Sequence, residues 1–321
     1  MKHYVRPVIY QRKQTFLNCF DYPVCLYLTN HNIPYQFMFS KSWQFYFDSE
    51  VGISVEKMDE FEGTKQLLLK ELYHVQPTSF DKQSLRHILT DKEDFWFVRG
   101  EGNLLPWTMN YQRVAGHHWF LIVNYSSEND QVEIIDHIPE YRGWQSMQTV
   151  DDSFRQTSCM GYQLNTPCFN MTLSQMDDLL DEALNYMWGS RETEGIQGMR
   201  IFQKYVESLG DNYILDIPQW WDTLKRLIDL KDQFLEFVSY LEFAEDSILR
   251  GISNGRLPDI CARTINKWTS LRNILMKESM HQKSDLSGLS TRLAQIIEME
   301  ESCACELENV LFSHRKRGVI T

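Results

Sequence analysis

Three residues stand out as able to do covalent chemistry together: Cys19, His118 and Asp136. Cys19 lies in Asn18-Cys19-Phe20-Asp21-Tyr22-Pro23-Val24-Cys25-Leu26-Tyr27-Leu28, where Phe20, Val24, Tyr27 and Leu28 recur at the spacing of a buried helix. Pro23 fits a first turn, where its missing N–H costs nothing. The helix is therefore expected to begin at Asn18 or Cys19. A thiol there sits beside unpaired backbone N–H groups and the positive end of the helix dipole. Both favour thiolate, the nucleophilic form.

His118 opens the run His118-Trp119-Phe120-Leu121-Ile122-Val123-Asn124-Tyr125, the clearest strand in the chain. Ser126-Ser127-Glu128-Asn129-Asp130 has the composition of a turn, and Val132-Glu133-Ile134-Ile135-Asp136 reads as the returning strand. In an antiparallel hairpin the start of one arm lies beside the end of the other. That brings a carboxylate to an imidazole. The chemistry such a set can do is acyl transfer. The thiolate attacks a carbonyl, the histidine carries the proton, and the aspartate fixes the ring. An oxyanion would need donors, for which the Cys19 backbone N–H, Gln14 and Asn18 are the candidates. His117 competes with His118, since neighbours in a strand face opposite sides, and His137 beside Asp136 is a weaker rival. Each residue also has an ordinary structural role available to it, as a core thiol, a strand-start histidine or a turn aspartate. Their order and placement together favour the site.

The rest of the chain suggests how these residues are held. Its 321 residues suffice for two domains. We expect an α+β catalytic half over residues 1–150 and a mostly helical domain over 151–321. In the first half, 3–10 suggest an extended segment, 51–55 and 95–98 strands, and 64–74 and 81–90 helices. The aromatic stretch 35–47 suits core or a pocket wall. Residues 151–167 read as loop. Helical patterns then cover 172–188, 192–209, 219–250, 258–282 and 285–312, with a capping box at Thr172-Leu173-Ser174-Gln175. These long amphipathic segments could pair two copies or pack within one.

A net charge of −12 argues against general nucleic-acid binding, which needs a basic face. Arg6, Arg12, Lys13 and Lys41 remain candidates for a local basic patch. Residues 1–7 lack the apolar core of a signal peptide, and no run approaches ~18 apolar residues. No membrane association and a cytoplasmic location are expected. Seven cysteines there imply free thiols rather than disulfides. Cys303-Ala304-Cys305 has no second pair at zinc spacing, so no metal is expected. Gly100-Glu101-Gly102 lacks the further residues of a phosphate loop.

The order cysteine, histidine, aspartate is that of the papain-like superfamily. His118 through Tyr125, followed by Asp136 on the next strand, resembles its C39-peptidase-like branch, and by that register His118 is the base. Length and layout resemble the butirosin-biosynthesis acyltransferases and the polyamide-forming enzymes of closthioamide-type pathways. The resemblance implies a papain-like cysteine-protease fold with an antiparallel sheet, followed by a helical half. It implies ATP-independent transfer of an acyl group from a carrier-protein thioester to an amine co-substrate in secondary-metabolite (antibiotic) biosynthesis. No cofactor of its own is implied, the phosphopantetheine being carried by the acyl or peptidyl carrier protein. Peptidases of the branch carry Gln six positions before the cysteine, where this chain has Lys13, with Gln14 five before. Asn18-Cys19-Phe20 also replaces their Asp-Cys-Gly. Both differences favour a stand-alone transferase over a leader peptidase. A peptidase or amide hydrolase on the same fold, and a non-catalytic carrier-binding module, are the alternatives.

Overall fold

The computed structural model describes residues 16–75, 77–91, 95–137, 140–154, 158–164, 169–209, 217–243, 255–281 and 288–318. The chain is α+β. It divides into two compact units, one of residues 1–35 with 66–170 and the other of 36–65 with 171–321. The expected single cut at residue 150 is replaced by an exchange. The aromatic stretch that follows the first helix leaves its neighbours in sequence and packs with the C-terminal helices.

The first unit is built on an antiparallel sheet of six strands: β3 (Pro77–Asp81), β4 (Phe95–Glu101), β5 (His117–Ser126), β6 (Gln131–Asp136), β7 (Tyr141–Ser146) and β8 (Ser158–Leu164). They lie in the order β3-β8-β4-β5-β6-β7. The β5–β6 hairpin is the expected one, and Leu121 pairs with Ile135. Its turn ends on Asp130 at φ +47°, a conformation that an Asx residue tolerates. The expected loop over 151–167 is instead the end of helix α4 (Met147–Ser153) followed by β8.

Alternation gives this sheet two apolar faces. On one, Phe97, Trp119 and Tyr162 pack around Phe20 at the start of helix α1 (Asp21–Asn30), with Phe97 and Trp119 each within 5.5 Å of its ring centre. On the other, Trp96, Val98, Phe120, Ile122, Val132 and Ile134 meet helix α3 (Lys82–Asp91) and α4. Gly100 lies opposite His118 in the ladder, and a Cβ on it would come 2.5 Å from the Ser153 Oγ. Only glycine lets α4 approach so closely there.

The second unit holds helices α5 (Leu173–Trp188), α6 (Gly195–Leu209), α7 (Ile217–Phe243), α8 (Arg256–His281) and α9 (Leu289–Gly318). A small hairpin, β1 (Phe47–Asp48) with β2 (Gly52–Ile53), belongs with them. Helix α2 (Val55–Tyr73) runs across the boundary between the units in sequence. The capping box at Thr172 forms: Gln175 N–H donates to Thr172 Oγ1, and Thr172 N–H to Gln175 Oε1. The stretch 36–47 buries Phe37, Met38, Phe39, Trp43, Phe45 and Phe47 in this unit. Its ring contacts include Phe202, Phe234, Phe237, Tyr240 and Trp268 of the same unit.

At the centre of the helical unit is a buried carboxylate, Glu300. It accepts from Trp43 Nε1–H and from Trp268 Nε1–H (2.5 Å), and pairs with Lys231 Nζ at 2.7 Å. The ammonium also lies over the Trp43 ring, 4.1 Å from its centre. Burial pushes the Lys231 pKa down, and Glu300 opposes it. Removing one partner of such a pair strands the other charge, at a cost of ~3–5 kcal/mol. Glu300→Ala should lose about that much in chemical denaturation followed by tryptophan fluorescence. Lys231→Met should lose clearly less, because Glu300 keeps both indole donors. Equal losses would mean that the indoles do not hold the carboxylate.

Candidate active site

The first turn before α1 is capped by Asn18. Its Oδ1 accepts from the N–H groups of Phe20 and Asp21, both at 2.8 Å, and its carbonyl accepts from Tyr22 N–H at 3.2 Å. Asp21 Oδ2 reaches back toward the Asn18 N–H at 3.5 Å, the outline of a capping box. Asn18 thus stands at the cap and Cys19 is the first residue of the turn. Leu17 and Phe20, on either side, are buried, whereas the Cys19 thiol is free and half-buried. The sequence folds this way because the neighbours are core residues and the asparagine can satisfy the open N–H groups.

His118 is 9% exposed and Asp136 1%. Leu121 opposite Ile135 sets Asp136 diagonal to His118 on one face of the hairpin. The side chains meet there, with His118 Nε2 2.6 Å from Asp136 Oδ2. The Cys19 thiol lies near enough to the same imidazole to raise its pKa. With Nε2 committed to Asp136, Nδ1 is the ring nitrogen left for sulfur. Helix α1 packs on the opposite face of the sheet, around Trp119. Thiol and imidazole therefore meet around the end of the strands rather than across a face. Burial pulls the His118 pKa down, but Asp136 and then Cys19 outweigh it, and the value is pushed up to about 10.

The carboxylate has two further donors. Trp107 Nε1–H gives to Oδ2 at 2.8 Å, and the His137 backbone N–H gives to Oδ1 at 2.6 Å. Trp107 was not among the candidate residues. Its only sequence signal is a tryptophan, after Pro106, in an otherwise loop-like stretch, and such residues usually just pack. Gly102 supports the imidazole from below, since a Cβ on it would come 3.3 Å from the His118 Cβ.

The two rival histidines are elsewhere. The His117 side chain is 62% exposed and points to Glu101, 3.4 Å away. His137 stacks its ring on Tyr22, with centres 4.2 Å apart. Burial, then Glu140 and Asp136, raises the Tyr22 pKa. Among the oxyanion candidates, Gln14 lies outside the described residues, as do the extended segment 3–10 and Arg6, Arg12 and Lys13. Asn18 spends its Oδ1 on the cap, which leaves its amide nitrogen. The cap does not use the Cys19 N–H. Lys41 is buried and paired with Glu182, so it offers no docking charge. Cys303 is buried and Cys305 exposed, so they do not converge, and the described residues contain no metal-binding group of three. No helix among the described residues is long and apolar enough to cross a membrane.

No protein-family model matches the chain, and no curated protein is significantly similar to it. What the structure offers is a thiol near a proton-carrying imidazole that is held by a buried anion, a set of groups that can do acyl transfer.

Two measurements test this electrostatic arrangement. The folded imidazole keeps its proton up to about 10, whereas an unfolded one loses it near 6.5. The stabilisation is therefore full below about pH 6.5 and is lost as pH rises toward about 10. The denaturation midpoint of the wild type should fall across that window more steeply than that of His118→Gln. Parallel falls would place the effect elsewhere. Trp107→Phe should cost ~1.5–3 kcal/mol, the value of a hydrogen bond to a charged group, measured by urea denaturation. A change under about 0.5 kcal/mol would show that the indole only packs.

Proposed function

We propose that the protein is an amide-forming acyltransferase that works without ATP, on a papain-like, C39-peptidase-like first unit. One observation supports the reading: a buried carboxylate holds Nε2 of an imidazole whose pKa is also raised by a half-buried thiol at a capped helix start. The roles are Cys19 as nucleophile, His118 as proton carrier and Asp136 as orienter.

Cys19 sulfur attacks the carbonyl of an acyl thioester. The bond from that carbon to the donor's sulfur breaks, and His118 gives its proton to the departing thiol. An acyl-Cys19 thioester remains. An amine then attacks it, its proton passes to His118, and the amide leaves as Cys19 sulfur is released. The first exchange, thioester for thioester, is near neutral, and the second, thioester to amide, is downhill. No nucleotide is needed. The donor that suits this scheme is an acyl group on the phosphopantetheine of an acyl or peptidyl carrier protein.

The test is intact-protein mass spectrometry after mixing with simple acyl thioesters, followed by peptide mapping. The expected result is one acyl mass on the Cys19 peptide, absent in Cys19→Ala and discharged faster by added amine than by water. Asp136→Asn should slow acylation by up to roughly 10⁴-fold, the cost of leaving the imidazole in the wrong tautomer. His117→Ala should not slow it. Discharge by water at the same rate would make the protein a hydrolase. No adduct, with a thiol inert to iodoacetamide, would leave a non-catalytic binding module.

A further inference from the structure

β7 (Tyr141–Ser146) is the last strand of its sheet, and among the described residues nothing pairs with its outer side. It joins β6 in one register, from Gln131 opposite Ser146 to Asp136 opposite Tyr141. A single hydrogen bond shows which backbone groups point outward. Met147 N–H donates to Asp130 O at 2.9 Å, one step past the Gln131–Ser146 pair. Hydrogen-bonded and non-bonded pairs alternate along an antiparallel ladder. The bonded pairs are therefore Val132–Gln145, Ile134–Gly143 and Asp136–Tyr141. Arg142 and Trp144 turn their N–H and C=O groups away from β6, to the open edge.

An open edge is a template for another strand, and prolines, bulges and lysines are its usual protection. β7 has no proline, lysine or bulge. Its one charge, Arg142, is drawn back onto Glu133, with Nε 3.0 Å from Oε1. Trp144 is 43% exposed and is the only exposed tryptophan among the described residues. Tryptophan and arginine are the side chains that most often anchor interfaces. Here both lie on one face of the strand, with Gly143 between them.

The order Arg-Gly-Trp is complementary to itself. A second β7 can lie antiparallel to the first about a twofold axis at Gly143. Arg142 then stands opposite the partner's Trp144, and Trp144 opposite the partner's Arg142. Both pairs use outward-facing backbone groups, so each exchanges N–H and C=O bonds with the other strand. Each guanidinium also meets an indole face. The two glycines meet at the axis as a non-bonded pair, where Cα atoms approach to about 4.5 Å, and neither brings a side chain to the contact. Other axes fit less well. One at Arg142 sets two cations opposite each other. One at Trp144 needs Ser146, whose Oγ caps α4 by accepting from Thr149 N–H as the chain leaves the strand. One between two residues sets outward-turned groups against inward-turned ones.

We propose that β7 is a self-recognition edge, through which two copies of this chain join their sheets with Arg142 opposite Trp144 across the axis. The long helices, which the sequence also offers for pairing, are not needed for it. Tyr141 stacks on Trp107 with ring centres 5.6 Å apart, so the shared edge begins beside the donors that hold Asp136. The dimer does not depend on the acyltransferase reading. A single short strand makes a small interface, so the association is weak and varies with concentration.

The test is sedimentation velocity on the full chain from about 1 to about 100 μM, the range of weak association. The mass should move from that of one chain toward that of two. Trp144→Lys sets a cation opposite Arg142 on both sides of the axis and should weaken association at least about tenfold. Circular dichroism checks its fold. The register is read separately with Arg142→Cys and Trp144→Cys proteins, oxidised by an aromatic disulfide. Mixed together they should form a disulfide dimer that peptide mapping places between positions 142 and 144. Neither alone should cross-link at its new thiol, because like positions lie a diagonal apart. A wild type that is monomeric at every concentration would overturn the inference. So would a dimer that Trp144→Lys leaves intact, or a disulfide between two copies of one variant at the substituted position.

Discussion

The site depends on keeping one carboxylate charged out of water. Asp136 is almost fully buried, and an unpaired anion there would cost more than the fold could sustain. Three donors prevent that, and each ties a different piece of chain to the same point. His118 brings the neighbouring strand, Trp107 the middle of a long loop, and the His137 N–H the turn after β6. The positioning of the imidazole is thus a consequence of satisfying the aspartate. The same field keeps a proton on His118 up to about pH 10, in spite of burial.

The cysteine depends on a different device. A helix start offers open N–H groups, and a thiol placed there as the cap would be occupied by them. Asn18 takes the cap instead, satisfying the Phe20 and Asp21 N–H groups with one oxygen. Cys19 then sits one position inside, with its neighbours buried and its own side chain free to turn to His118. The dipole of α1 still favours negative charge at that end. The cap and the free thiol are separated onto adjacent residues.

Several of these features were legible in the sequence. The hairpin was, because β5 and β6 carry long apolar runs around a polar turn. The helix start was, because Pro23 and the apolar spacing limit where it can fall. The choice of His118 over His117 needed the register, since alternation says only that one of them faces inward. Other parts were not legible. β7, Tyr141–Ser146, is an edge strand with alternate half-buried and exposed residues, so it has no apolar run to find. Trp107 is joined to Asp136 only by the folded loop, and no local pattern predicts that. The stretch 36–47 was rightly apolar, but apolar density does not say which core a segment joins. It went to the helices because Trp43 and Phe45 meet partners there whose positions come from far along the chain.

A comparison of the two buried carboxylates separates structure from chemistry. Asp136 and Glu300 are solved by the same physics, each with indole N–H donors and a nitrogen base. Around Glu300 the base is Lys231, which is fully buried, so the cluster closes on itself. Around Asp136 the base is an imidazole with a second nitrogen not used by the carboxylate, and a thiol that is only half-buried lies near enough to raise its pKa. A lysine ammonium only donates, whereas a histidine can hold the carboxylate with one nitrogen and exchange a proton at the other. The first arrangement stores its polarity as stability. The second places it beside a half-buried thiol, which favours Asp136 over Glu300 as the carboxylate of the proposed reaction.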